Sequence, residues 1–247
     1  MTTLEMLASN RTVNGTHKTS LGTAALIAGI GLLIMVIAAP FAELYVFPRL
    51  VVSGDAAETV KNIIANKTLF VAGIFGYLIT FLCDVLVAWA LYVYLKPVNE
   101  NLSLLTAWFR LVYTLIALIA LLHLVTVFRL LNTPVYLTLF QPNQLQAQVL
   151  LSLNTFRSDW YFGLLFFGIH LGLLGYLVFR SKYIPRIVGI LLIIAGLGYM
   201  LTTLKPYLFP GINVGFAEYT YYGELIFMLW LLIKGSRTKE SNNETLK

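Results

Sequence analysis

The chain has 247 residues, of which 59% are hydrophobic and only 11% charged, with a formal charge of +6 and a mean hydropathy of +0.81. A domain that folds in water carries about 25% charged residues, so this composition excludes an ordinary soluble enzyme and indicates a polytopic membrane protein. The basic excess stands at the ends of apolar segments rather than on a polar domain, so no nucleic-acid partner is expected.

A helix rises about 1.5 Å per residue, and about 20 apolar residues cross the hydrocarbon core. After a polar tail, residues 1–20, the first segment of that length is Leu21–Phe47. It is too long for the apolar core of a cleaved leader and reads as a retained helix with Glu43 near its outer end. Asp55–Ala65 then sets Ala56, Val60, Ile63 and Ile64 on one helical face, the pattern of an amphipathic surface helix. The second segment, Thr68–Leu95, contains Cys83 and Asp84. The short connection Lys96–Asn101 makes the third segment, Leu102–Leu131, its antiparallel neighbour. That third segment holds Arg110 and His123.

Pro142–Arg157 repeats Leu145, Val149, Leu153 and Phe156 at helical steps and reads as a second surface helix. The fourth segment, Asp159–Phe179, carries Tyr161 and His170. A dense basic loop, Arg180–Arg186, joins it to the fifth, Ile184–Leu204, which carries Tyr199. Gly168, Gly172 and Gly175 on one helix and Gly189, Gly196 and Gly198 on the next allow close packing between the two. The sixth segment, Gly215–Ile233, contains Glu224 and precedes a polar tail, residues 235–247. The predicted fold is therefore an all-α bundle of six transmembrane helices over residues 21–234. Both termini are expected in the cytoplasm, because short loops rich in Lys and Arg stay there.

Ionisable side chains are costly in lipid and face the bundle interior. Counted along helices, Asp84, Arg110 and His170 fall at similar depths from the inner ends, about 12–16 Å. An Asp84–Arg110 ion pair beside His170 is predicted, with helix registration as its commonest role. Counted from the outer ends, Glu43, His123 and Glu224 form a second layer, with Tyr161 and Tyr199 near it. Glu224 lacks a basic partner at its counted depth other than His123, which makes it the leading candidate for binding a proton or a ligand.

No zincin, paired Cys-x-x-Cys, Gly-x-Ser-x-Gly or Walker sequence is present. No metal site and no cofactor are expected. The stretch Phe166-Phe167-Gly168-Ile169-His170, then Gly175-Tyr176-Leu177, Ile184-Pro185-Arg186 with Gly189, Ala195-Gly196 and Gly198-Tyr199 resembles the bacterial integral-membrane family called domain of unknown function 4386. The resemblance is strongest over residues 160–202. It implies an inner-membrane protein of about this size and no particular activity. Three functions stay open. The first is binding or transport of a small molecule, ion or lipid in an outward-facing polar cavity around Glu43, His123 and Glu224. The second is an intramembrane lipid hydrolase, metal-dependent in one version, using His123, His170 and the carboxylates. The third is a structural or regulatory subunit without chemistry. The lipid bilayer is the expected partner, and the sequence leaves oligomeric state open.

Overall fold

The computed structural model describes residues 19–238 except 209 and 212. The outer parts of both expected tails, including Arg11, Lys18, Lys239 and Lys247, lie outside the described residues. Among the described residues every regular element is helical. The long helices are α1 (Leu21–Pro40), α4 (Lys67–Leu95), α5 (Glu100–Asn132), α7 (Pro142–Arg180) and α8 (Arg186–Leu208). Short ones are α2 (Phe47–Leu50), α3 (Ala56–Ala65), α6 (Pro134–Leu139) and α9 (Tyr222–Ile233). With α2 continuing α1, five helices are long and apolar enough to cross a membrane.

The helix starts follow local chemistry. Ser20 accepts a hydrogen bond from the Thr23 amide at 3.1 Å, Asp55 from that of Glu58 at 2.9 Å and Asn99 from that of Leu102 at 2.9 Å. Each satisfies an N–H that the first turn leaves unpaired. Pro142 opens α7, where its missing N–H costs nothing.

Four elements differ from the sequence expectation. The expected surface helix Pro142–Arg157 and the fourth segment are one helix of 39 residues. The polar pair Ser158–Asp159 contains no glycine or proline, so nothing stops the helix there. Its predicted apolar face, Leu145, Val149, Leu153 and Phe156, is buried. Second, α1 passes at Pro40 into a π-helical turn, Phe41–Val46, before α2. Proline inside a helix removes a backbone donor and disturbs the ladder. Third, the sixth segment begins as a 3-10 helix, Gly215–Tyr221, and becomes α-helical only at Tyr222. In α3, Thr59 is buried in place of Ile64, which is 55% exposed. The Thr59 hydroxyl accepts from the Val52 amide at 2.9 Å and donates to the Asp55 carbonyl at 2.7 Å.

The long helices pack in chain order, α1 on α4, α4 on α5, α5 on α7, α7 on α8, and α9 closes the ring against both α8 and α1. Glycine sets the tightest contact. A Cβ on Gly168 would lie 2.7 Å from the Gly196 carbonyl oxygen, and one on Gly175 2.6 Å from that of Gly189. The two contacts are seven residues apart on both helices, as in a shallow antiparallel crossing. Gly198 instead faces Ala217 and Thr220 of the 3-10 helix, and a Cβ on Gly172 would meet open space. At the inner end Tyr183 donates to the Tyr94 carbonyl at 2.7 Å. Burial, and then the neighbouring Tyr94, push the Tyr183 phenol above the usual tyrosine range, which keeps it a donor.

The ring is apolar outside and polar inside. Ile37, Leu44, Ile119 and Leu122 are 60% or more exposed, whereas Asp84, Arg110 and His170 are 1% exposed or less. That arrangement suits a hydrocarbon solvent.

Candidate functional site

Arg110 occupies the middle of the ring. Its Nη2 lies 2.6 Å from Asp84 Oδ1. The contact is close but not aligned. Among the described residues, both Asp84 oxygens and Arg110 Nε lack a hydrogen-bond partner of good geometry. Arg110 Nη1 is 3.2 Å from His170 Nε2, and His170 Nδ1 is 2.8 Å from the Thr106 carbonyl oxygen. A guanidinium only donates and a carbonyl only accepts. His170 therefore accepts at Nε2 and donates at Nδ1, which is the neutral imidazole. The Met35 sulfur, 3.8 Å from Nη2, and the Phe167 ring, 5.3 Å from Cζ, complete the surroundings of the guanidinium.

Glu224 reaches the same place from α9. Arg110 and Glu224 both line a cavity of about 10 Å³ whose other walls include Leu32, Leu171, Leu192 and Phe227. That is at the lower limit for one water molecule. The Tyr199 hydroxyl and the Glu224 carboxyl are electrostatic neighbours. The Tyr199 ring stacks on Tyr221 at 4.1 Å and meets Phe167 edge-on at 5.3 Å. All six helices of the ring thus contribute to one centre: Met35, Asp84, Arg110, His170, Tyr199 and Glu224.

A second polar level lies nearer the outer end. Tyr77 donates to Glu43, and Arg157 Nη2 is 3.2 Å from Glu43 Oε1. His123 Nε2 is 3.2 Å from Asp159 Oδ2, and these two side chains are 35% and 42% exposed. An aromatic cluster of Phe47, Tyr77, Phe81, Phe156 and Trp160 reaches from between the levels up to the outer one. The Trp160 indole N–H donates to Tyr113 at 3.1 Å. Tyr161 is half exposed, with its ring stacked on Trp160.

Helix rise explains why the two layers counted from sequence regroup. From the inner helix ends, Asp84, Arg110, His170 and Glu224 stand 11, 10, 10 and 9 residues along, or about 14–16 Å. This is the middle of a core about 30 Å thick. Counting Glu224 from the outer end concealed that both counts meet at the midplane. Glu43, Arg157, His123 and Asp159 stand 21 to 23 residues along, about 32–35 Å, at the outer polar boundary. His123 stands that far along because α5 and α7, at 33 and 39 residues, are longer than the roughly 20 residues that cross a hydrocarbon core. The expected trio of Glu43, His123 and Glu224 is therefore distributed. Glu43 pairs with Arg157, His123 with Asp159, and Glu224 joins Arg110. The hydrolase alternative needs His123 and His170 together, and they stand on different levels. Among the described residues, no three His, Cys, Asp or Glu side chains converge as a metal would require.

Thr106, Tyr113, Met35 and Trp160 were missed as site residues. Spacing offered a signal for two of them, since Thr106 and Tyr113 lie four before and three after Arg110 on the same helical face.

A family model described as Domain of unknown function (DUF4386) matches residues 27–235, a span that holds every residue of both levels. An uncharacterized protein of Archaeoglobus fulgidus is 37% identical over 167 residues, which is 68% of this chain and 86% of that protein. No solved structure matches the chain.

Proposed function

The chain belongs to the DUF4386 family, and we propose that it is a six-span membrane protein that binds one proton at Glu224, in the middle of the bundle. The observation that carries this reading is a charge count. Two carboxyl groups, Asp84 and Glu224, share one centre with one guanidinium and a neutral imidazole. Asp84 is the ion-pair partner of Arg110 among the described residues, so an ionised Glu224 would leave one net negative charge at the midplane. Glu224 keeps some accessible surface, but in the middle of the bundle an uncompensated charge costs about 2.5–3.5 kcal/mol or more. One bound positive charge removes the imbalance.

A proton fits better than a metal cation. The cavity holds about 10 Å³ and its walls are chiefly leucine and phenylalanine, whereas hard cations take about six oxygen ligands. The same dimensions argue against a small organic ligand, whose pockets run to about 300–1,000 Å³. Membrane placement follows from length and charge. The 3-10 helix and α9 together contain 7 and 12 residues, about 32 Å end to end, so they supply the sixth span. The basic loop Arg180–Arg186 supports a cytoplasmic side for both termini.

Glu224→Gln tests the proposal. An amide reproduces a protonated carboxyl, so the variant should unfold within about 1 kcal/mol of the parent in detergent at neutral pH. A loss of about 3–5 kcal/mol would instead identify Glu224 as an ionised structural partner of Arg110.

A further inference from the structure

Away from the central cavity, α5, α7 and α8 enclose a surface groove of about 430 Å³, lined by Ile116, Ile119, Ser158, Asp159, Phe162 and Tyr207. These residues sort by height. Ile116, Ile119 and Phe162 stand 16, 19 and 18 residues from the inner ends of their helices, about 24–28 Å, just inside the hydrocarbon core. Ser158, Asp159 and Tyr207 stand 22, 21 and 21 residues along, about 32–33 Å, just outside it. The groove therefore straddles the boundary between chain and headgroup, with an apolar lower tier and a polar upper tier. Ile119 is 60% exposed and Tyr207 68%, so the groove opens outward onto the lipid.

The upper tier selects a headgroup. Its lining contains one formal charge, the Asp159 carboxylate, and no lysine or arginine. His123 Nε2, at 3.2 Å, engages one oxygen of that carboxylate, Oδ2. The hydroxyls of Ser158 and Tyr207 are donors beside it. We infer that this groove is a binding site for a phospholipid with a primary-ammonium headgroup. The ammonium pairs with Asp159, the hydroxyls donate to the phosphodiester, and one acyl chain lies over Ile116, Ile119 and Phe162. An anionic headgroup without an ammonium would meet the carboxylate with like charge and is disfavoured there. The site is independent of the proton at Glu224.

Native mass spectrometry of the full chain, released from bilayers of equal phosphatidylethanolamine and phosphatidylglycerol, tests the assignment. The parent should retain phosphatidylethanolamine about tenfold over phosphatidylglycerol, the factor expected of one hydrogen bond to a charged group. Asp159→Asn should bring the ratio close to unity. Ile119→Trp fills the lower tier without touching the charge pair, and its lipid-facing position tolerates a large side chain. It should reduce retention of phosphatidylethanolamine by a similar factor. Equal retention of the two lipids by the parent, or an unchanged preference in either variant, overturns the assignment.

Discussion

Asp84 and Arg110 illustrate how differently one ion pair responds to removal of one member or both. Each charge is desolvated, so loss of one partner leaves the other without compensation. Asp84→Asn should destabilise the protein by about 3–5 kcal/mol in a detergent unfolding titration, while the double replacement Asp84→Leu with Arg110→Met should recover much of that loss. His170 bridges Arg110 and the Thr106 carbonyl. His170→Leu leaves a donor and an acceptor unpaired and should cost about 1–3 kcal/mol. Asp84 and Arg110 were legible in the sequence because a charge within an apolar segment is conspicuous and helix rise gives its depth. Met35 and Trp160 were not, because each is indistinguishable from an ordinary apolar residue until a neighbouring helix brings a polar atom to it.

At the scale of the element, the α7–α8 contact gives a paired prediction. A Cβ on Gly189 would lie 2.6 Å from both the Gly175 carbonyl oxygen and the Phe179 amide nitrogen, which are backbone atoms and cannot turn aside. Gly189→Ala should therefore cost about 1–3 kcal/mol. Gly172, in the same stripe of small residues, faces open space, and Gly172→Ala should leave thermal stability nearly unchanged. Sequence spacing gave the stripe but not which glycine meets backbone, since that depends on the register between two helices. The continuity of α7 was concealed for a related reason. Ser158–Asp159 looks like a boundary in polarity, yet helices end at caps and breakers rather than at polar residues. The 3-10 start of the sixth segment had no local signature, and it is stabilised by the close seat of Ala217 and Thr220 against Gly198.

At the scale of the molecule, five helices long and apolar enough to cross a membrane and the shorter α9 close into a ring around one charged centre. Hydropathy made the spans legible, because a solvent about 30 Å thick imposes their length. The closure of α9 onto α1 was not legible, and it is what moves Glu224 from an outer cavity to the side of Arg110. Orientation is open to direct labelling in a Cys83→Ala background. Ser20→Cys and Lys182→Cys should react only with reagents supplied from the cytoplasm, and Ser53→Cys only from the opposite side. Labelling of Ser53→Cys and Lys182→Cys from the same side would reject the six-span arrangement. The central claim is that Glu224 carries a proton where Asp84 and Arg110 already neutralise each other, and infrared spectroscopy of the reconstituted protein tests it most directly. A protonated-carboxyl stretching band at neutral pH should be present in the parent, absent in Glu224→Gln and retained in Glu43→Gln. A parent without that band, or a Glu224→Gln variant that keeps it, would contradict the account.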